Sequence, residues 1–203
     1  MTQETLNNGE FATPIVGVSL YKNVFNPLNF IDLLESRCAD TYSDLEWSWA
    51  TTGDGSGVGK QSEYRSSMNC SLHSLMHTND DEQEAFELFS SSIKDRLRIP
   101  LINYQTQYRI ESALAEPYQV LKYVESTGYR AHYDSGRASS RTFSLVASLA
   151  EAEEGGELEF PFFNYKVKLS IGDVIIFPSN HPYTHIAHPV YSGTKYSLVS
   201  WFA

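Results

Sequence analysis

From Gln119 to the end of the chain, apolar residues come in short runs rich in β-branched and aromatic types, with Gly, Pro and Asn between them. This pattern predicts strands over Gln119–Val124, Tyr129–Asp134, Thr142–Leu149, Glu157–Pro161, Tyr165–Leu169, Asp173–Phe177, His185–Val190 and Tyr196–Phe202. About eight short strands at such spacing predict a sandwich or barrel. The first half has a different texture. Pro14–Lys22 is β-rich enough for one early strand. Asn26-Pro27 reads as a helix cap with proline at the first helical position, and Phe30, Ile31, Leu34 and Cys38 follow at helical spacing to about Thr41. Asp44–Ser67 is rich in Gly, Ser and Thr and reads as a long surface loop or hairpin. A second helix is expected to open at Asp80, bury Phe86, Phe89, Ile93 and Leu97, and be stopped or kinked by Pro100. The expected class is α+β, mainly β, with the helices packed on one outer face.

Length supports one domain over 1–203, with 1–110 as helical support and outer strands, and no internal repeat divides it. The formal net charge of −10 argues against a nucleic-acid partner, whose phosphates demand clustered Lys and Arg. No apolar run reaches the length of a membrane span, and the polar, acidic first residues do not resemble a leader. The expectation is a soluble, cytoplasmic protein. Cys38 and Cys70 are too few and too far apart in the chain to suggest a disulfide framework or zinc cage, and read as small buried hydrophobes. Gly53–Lys60 superficially resembles a phosphate-binding loop, but Asp54 replaces the first glycine and Gln61 the magnesium-binding hydroxyl. The same stretch reads first as a plain flexible loop, with a mobile lid or flap as its functional alternative.

His132-x-Asp134 puts an imidazole and a carboxylate on one face of an extended strand. Some fifty residues later come His181, His185 and His188. His181, before Pro182, belongs to a turn; strand alternation lets only one of His185 and His188 face inward, and leaves open which. Two neutral nitrogens with one carboxylate make a facial triad suited to non-haem Fe(II), with coordination positions left open.

The C-terminal half resembles the prolyl 4-hydroxylase branch of the 2-oxoglutarate- and Fe(II)-dependent oxygenases. The pattern runs from Glu116-Pro117-Tyr118-Gln119-Val120-Leu121-Lys122-Tyr123 through Gly128, Tyr129 and His132-x-Asp134. It continues through Arg141, Gly155-Gly156-Glu157-Leu158-Glu159-Phe160-Pro161 and Gly172-Asp173 to His185, Pro189-Val190, Gly193, Lys195 and Trp201. The resemblance implies a double-stranded β-helix, or jelly-roll, whose catalytic core is 116–202. It implies that His132, Asp134 and His185 hold Fe(II) and that Lys195 and Tyr123 hold 2-oxoglutarate. Tyr129, Arg141 and Trp201 would line the substrate groove. Dioxygen is the further co-reactant, with ascorbate in support. The implied activity is hydroxylation of prolyl residues in a peptide or protein, coupled to conversion of 2-oxoglutarate to succinate and carbon dioxide. A free amino acid or other small molecule as substrate, or a non-catalytic jelly-roll binding module, are the alternatives. Only Ser135–Ser140 separate Asp134 from Arg141, a short connection for a peptide-binding flap, and Ser148 stands where many members carry tyrosine.

Overall fold

The computed structural model describes residues 11–41, 43–50, 63–73, 83–111, 114–136 and 140–203. The Gly53–Gly59 stretch, Asp80 and the Phe86 side chain, all invoked from sequence, lie outside that set.

The first apolar run is a hairpin, where sequence predicted one strand: β1 (Phe11–Ile15) pairs antiparallel with β2 (Val18–Tyr21). Gly17 divides them at φ 79°, with the Tyr183 hydroxyl standing where a Cβ would go, so no larger residue fits. Helix α1 (Phe30–Ala39) starts later than the Asn26-Pro27 cap predicted. The Asn26 side chain instead closes a tight turn by accepting the Leu28 N–H at 3.0 Å, and Leu28 sits at φ 50°, which a helix cannot continue through. The polar stretch read as a surface loop or hairpin contributes a strand that pairs antiparallel and packs into the body of the fold. β3 (Ser48–Trp49) pairs with β4 (Met68–Ser71), and Leu45 and Ala50 are buried beside them.

The second helical region is α2 (Gln83–Phe89), a π turn at Ser90–Lys94, and α3 (Asp95–Tyr108). Pro100 neither stops it nor starts a new element. A proline inside a helix costs about 3 kcal/mol, whereas burying Leu97 and Tyr104 around it contributes about 1.5–3 kcal/mol for each such side chain. Burial wins.

The remaining strands are β5 (Gln119–Tyr123), β6 (Tyr129–His132), β7 (Phe143–Ala150), β8 (Glu154–Gly155), β9 (Leu158–Phe160), β10 (Tyr165–Val167), β11 (Val174–Pro178), β12 (His185–Ala187), β13 (Val190–Ser192) and β14 (Lys195–Phe202). The predicted strand at 185–190 is two: Pro189 has no N–H for a ladder, and the chain turns there. They form an eight-stranded sheet ordered β1-β2-β11-β7-β14-β5-β4-β3, a four-stranded sheet β10-β9-β12-β6, and the pair β13-β8. This is a jelly-roll. The helices cover one face of the large sheet, where Phe30, Leu34, Phe89, Ile93, Leu97 and Tyr104 meet Phe143, Leu145, Ile176 and Leu198. Between the two sheets, Val18, Leu20, Ile175 and Phe177 pack on Leu158 and Phe160. The other end of that interior is left open as a cavity.

Candidate metal centre

Strand alternation fills the cavity. On β14, Lys195, Ser197, Val199 and Trp201 face it, while Tyr196, Leu198 and Phe202 join the helix-side core. On the neighbouring β5, Gln119, Leu121 and Tyr123 do the same. The cavity measures about 500 Å³, a size ordinary for a small-molecule site.

At its wall, β12 runs antiparallel to β6 with His185 directly opposite His132. β6 ends at His132, so Asp134 is not on the strand that sequence extended to it. It lies in a bend held by Ser135 N–H donating to Ser179 O (2.9 Å) and by the Arg141 guanidinium donating to its own carbonyl (3.2 Å). The bend still turns the carboxylate toward both rings. His132 Nε2 is 3.6 Å from Asp134 Oδ1, His185 Nε2 is 3.8 Å from Oδ2, and the three donor atoms lie within 4.8 Å of one another. Each ring's Nδ1 points at a backbone carbonyl, Arg130 O at 2.7 Å and Tyr183 O at 3.1 Å. Nδ1 therefore carries the proton, and the Nε2 lone pairs face the centre.

Burial, and then the neighbouring His185, push the His132 imidazole well below its usual pKa, so it stays neutral. Burial alone would raise Asp134; His185, His132 and the Ser144 hydroxyl pull harder and hold the carboxylate ionised. Ser144 Oγ donates to Oδ2 at 2.6 Å and is itself 2.8 Å from Ser179 Oγ. Two imidazole nitrogens and one oriented carboxylate fit Fe(II). His188, the rival third ligand, faces outward and bonds Glu159.

Lys195 is the second feature. Burial lowers its pKa to about 8, its Nζ donates to Gly156 O at 2.7 Å, and it lies 5.3 Å from the centre of the Tyr123 ring. No carboxylate among the described residues comes within ion-pair distance of it. A buried cation facing a cavity without a carboxylate is a place for an anionic ligand. Tyr123 is buried, which raises its phenol pKa and keeps the hydroxyl a neutral donor.

The three residues expected at the substrate groove also line the cavity. Tyr129 stacks on His132, with ring centres 3.4 Å apart. The Arg141 guanidinium lies 4.0 Å over the Trp201 ring and grips Glu116 with two bonds, of 2.5 and 2.6 Å. That salt bridge anchors Arg141 as much as it leaves it available to a ligand. Sequence missed Arg65, Ser67 and Asn69. Arg65 covers Tyr129 at 4.7 Å, and Asn69 bonds Gln119 across the cavity wall. Their signal was an alternation, Arg65-x-Ser67-x-Asn69-x-Ser71, with polar residues on one face of a strand.

The 2OG-Fe(II) oxygenase superfamily matches over residues 118–203, which contain all three candidate ligands and Lys195. The match covers less than half of the chain and shows a likeness to that superfamily. A putative prolyl 4-hydroxylase of Acanthamoeba polyphaga mimivirus is 30% identical over 120 residues, 49% of this chain and 50% of that protein. Prolyl 4-hydroxylase 13 of Arabidopsis thaliana is 28% identical over 160 residues, 64% of this chain and 54% of that one. The chain thus spans about half the length of these curated relatives. Among solved structures, a prolyl hydroxylase from Trichoplax adhaerens, in complex with a hypoxia inducible factor peptide fragment, superposes with a TM-score of 0.66 at 17% identity. That match covers 92% of this chain and 83% of the other, and shows a common fold.

Proposed function

We propose that the protein is a 2-oxoglutarate- and Fe(II)-dependent dioxygenase that hydroxylates prolyl residues in a peptide or protein, forming succinate and carbon dioxide. The observation that carries this reading is one cavity holding both the His132–Asp134–His185 cluster and the buried ammonium of Lys195.

His132, Asp134 and His185 would hold the metal, which with 2-oxoglutarate and dioxygen supplies the oxidising power for insertion into a C–H bond. The residues do the rest. Ser144 fixes the carboxylate, and the carbonyls of Arg130 and Tyr183 fix the rings, so ligand orientation is set before anything binds. Lys195 takes the distal carboxylate of 2-oxoglutarate, and Tyr123 adds a neutral hydrogen bond beside it. Tyr129, Trp201 and Arg141 present two aromatic faces and a guanidinium at the groove, a surface suited to a proline ring and a peptide carbonyl. The oxygenase relatives named prolyl 4-hydroxylases support that substrate class over a free amino acid.

The test is to incubate the iron-loaded protein with 2-oxoglutarate and a library of proline-containing peptides, and separately with free proline. The expected result is a peptide product heavier by one oxygen atom, with succinate formed in proportion. Succinate formed with free proline alone would move the substrate to a small molecule.

A further inference from the structure

Sequence separates Cys38 and Cys70 by thirty-odd residues, yet their sulfur atoms lie 3.7 Å apart. Cys38 is half-buried in the last turn of α1; Cys70 is on β4 and only 1% exposed. Contacts that do not involve sulfur hold these two elements together. Phe30 and Leu34 bury α1 against the large sheet, and Glu35 accepts hydrogen bonds from Lys122 Nζ (2.8 Å) and Tyr196 Oη (2.7 Å). β4 is held on the same sheet by β5, with Cys70 opposite Val120. The fold itself therefore delivers the two thiols to each other.

We propose that Cys38 and Cys70 form a redox-active dithiol, closed to an intramolecular disulfide by a small disulfide oxidant of the glutathione class. The half-buried Cys38 thiolate attacks one sulfur of glutathione disulfide and releases one glutathione, leaving a mixed disulfide. The Cys70 thiolate then attacks the Cys38 sulfur and releases the second glutathione. Two protein thiols are oxidised, one glutathione disulfide is reduced to two glutathiones, and the two thiol protons leave with them. The new bond staples α1 to β4 and closes the loop 39–69. Cys70 faces the helix-side core, whereas its neighbour Asn69 lines the cavity, so closure stiffens one cavity wall from behind without entering the site. This inference is independent of what the site catalyses.

The test treats the folded protein with glutathione disulfide, then maps peptides without reduction and records thermal unfolding. The expected product is lighter by two hydrogens, with the Cys38 and Cys70 peptides linked. Its Tm rises by roughly 5–15 °C, as closure of a loop of this length predicts, and dithiothreitol reverses the rise. Cys38→Ser removes both the link and the shift. Absence of the link in the wild-type protein, a glutathione adduct stopping at Cys38, or a link forming only in denaturant would each overturn the proposal.

Discussion

Individual side chains set the chemistry, and Lys195 carries the clearest pH signature. Burial lowers its pKa to about 8, so the ammonium is present below that pH and lost above it. A bound dicarboxylate needs the ammonium. The KM for 2-oxoglutarate is therefore expected to be flat below pH 8 and to rise above it, a rise that Lys195→Arg removes. Lys195→Ala takes away one partner of a buried charge pair, a loss of about 2–5 kcal/mol, on the order of 30- to 3000-fold in that KM. Steady-state kinetics across pH measure both. Ser144→Ala leaves all three candidate ligands in place but removes one of the hydrogen bonds that orient the Asp134 carboxylate, and metal affinity should fall about 10- to 100-fold in a direct titration. Alternation suggested the His132–Asp134 pair but left His185 and His188 open. The candidate third ligand and Lys195 were legible only through the family resemblance; the structure brings His132, Asp134 and His185 together. Ser144 was not legible: a serine inside an apolar strand carries no mark of which distant carboxylate it will meet. Arg65 was hidden likewise, since its contact with Tyr129 joins segments sixty-odd residues apart.

Elements were read more surely than their ends. The strands of the second half appear close to where short β-branched and aromatic runs between Gly, Pro and Asn placed them, because that texture is a local property. Boundaries failed where one residue overruled the pattern: Gly17 split a strand, Leu28 at positive φ delayed α1, and Pro189 divided the predicted 185–190 strand. The polar stretch at 44–67 was legible as a loop or hairpin, but not its burial in the body of the fold. Whether such a segment joins a sheet depends on an edge waiting for it, here β4, which the segment's own composition does not reveal. Packing of the helices on the sheet gives a stability prediction at this scale. Leu97 is fully buried at their junction, and Leu97→Ala is expected to cost about 2–5 kcal/mol in denaturant unfolding, with little change in the site's metal affinity.

For the whole molecule, the jelly-roll brings together side chains that the sequence scatters. The large sheet supplies Lys195, Tyr123 and Trp201, the small sheet His132 and His185, and the bend after β6 supplies Asp134. Among the described residues no helix is long and apolar enough to cross a membrane. Because metal and cosubstrate would bind only the folded arrangement, adding both should raise the unfolding temperature, and a chelator should reverse the rise. The most direct measurement of the central claim is succinate released from 2-oxoglutarate by the iron-loaded protein, compared with its Asp134→Ala variant. The account predicts succinate from the wild type and none above background from the variant. Equal release from both, or none from a fully metallated wild type supplied with peptide, would contradict it.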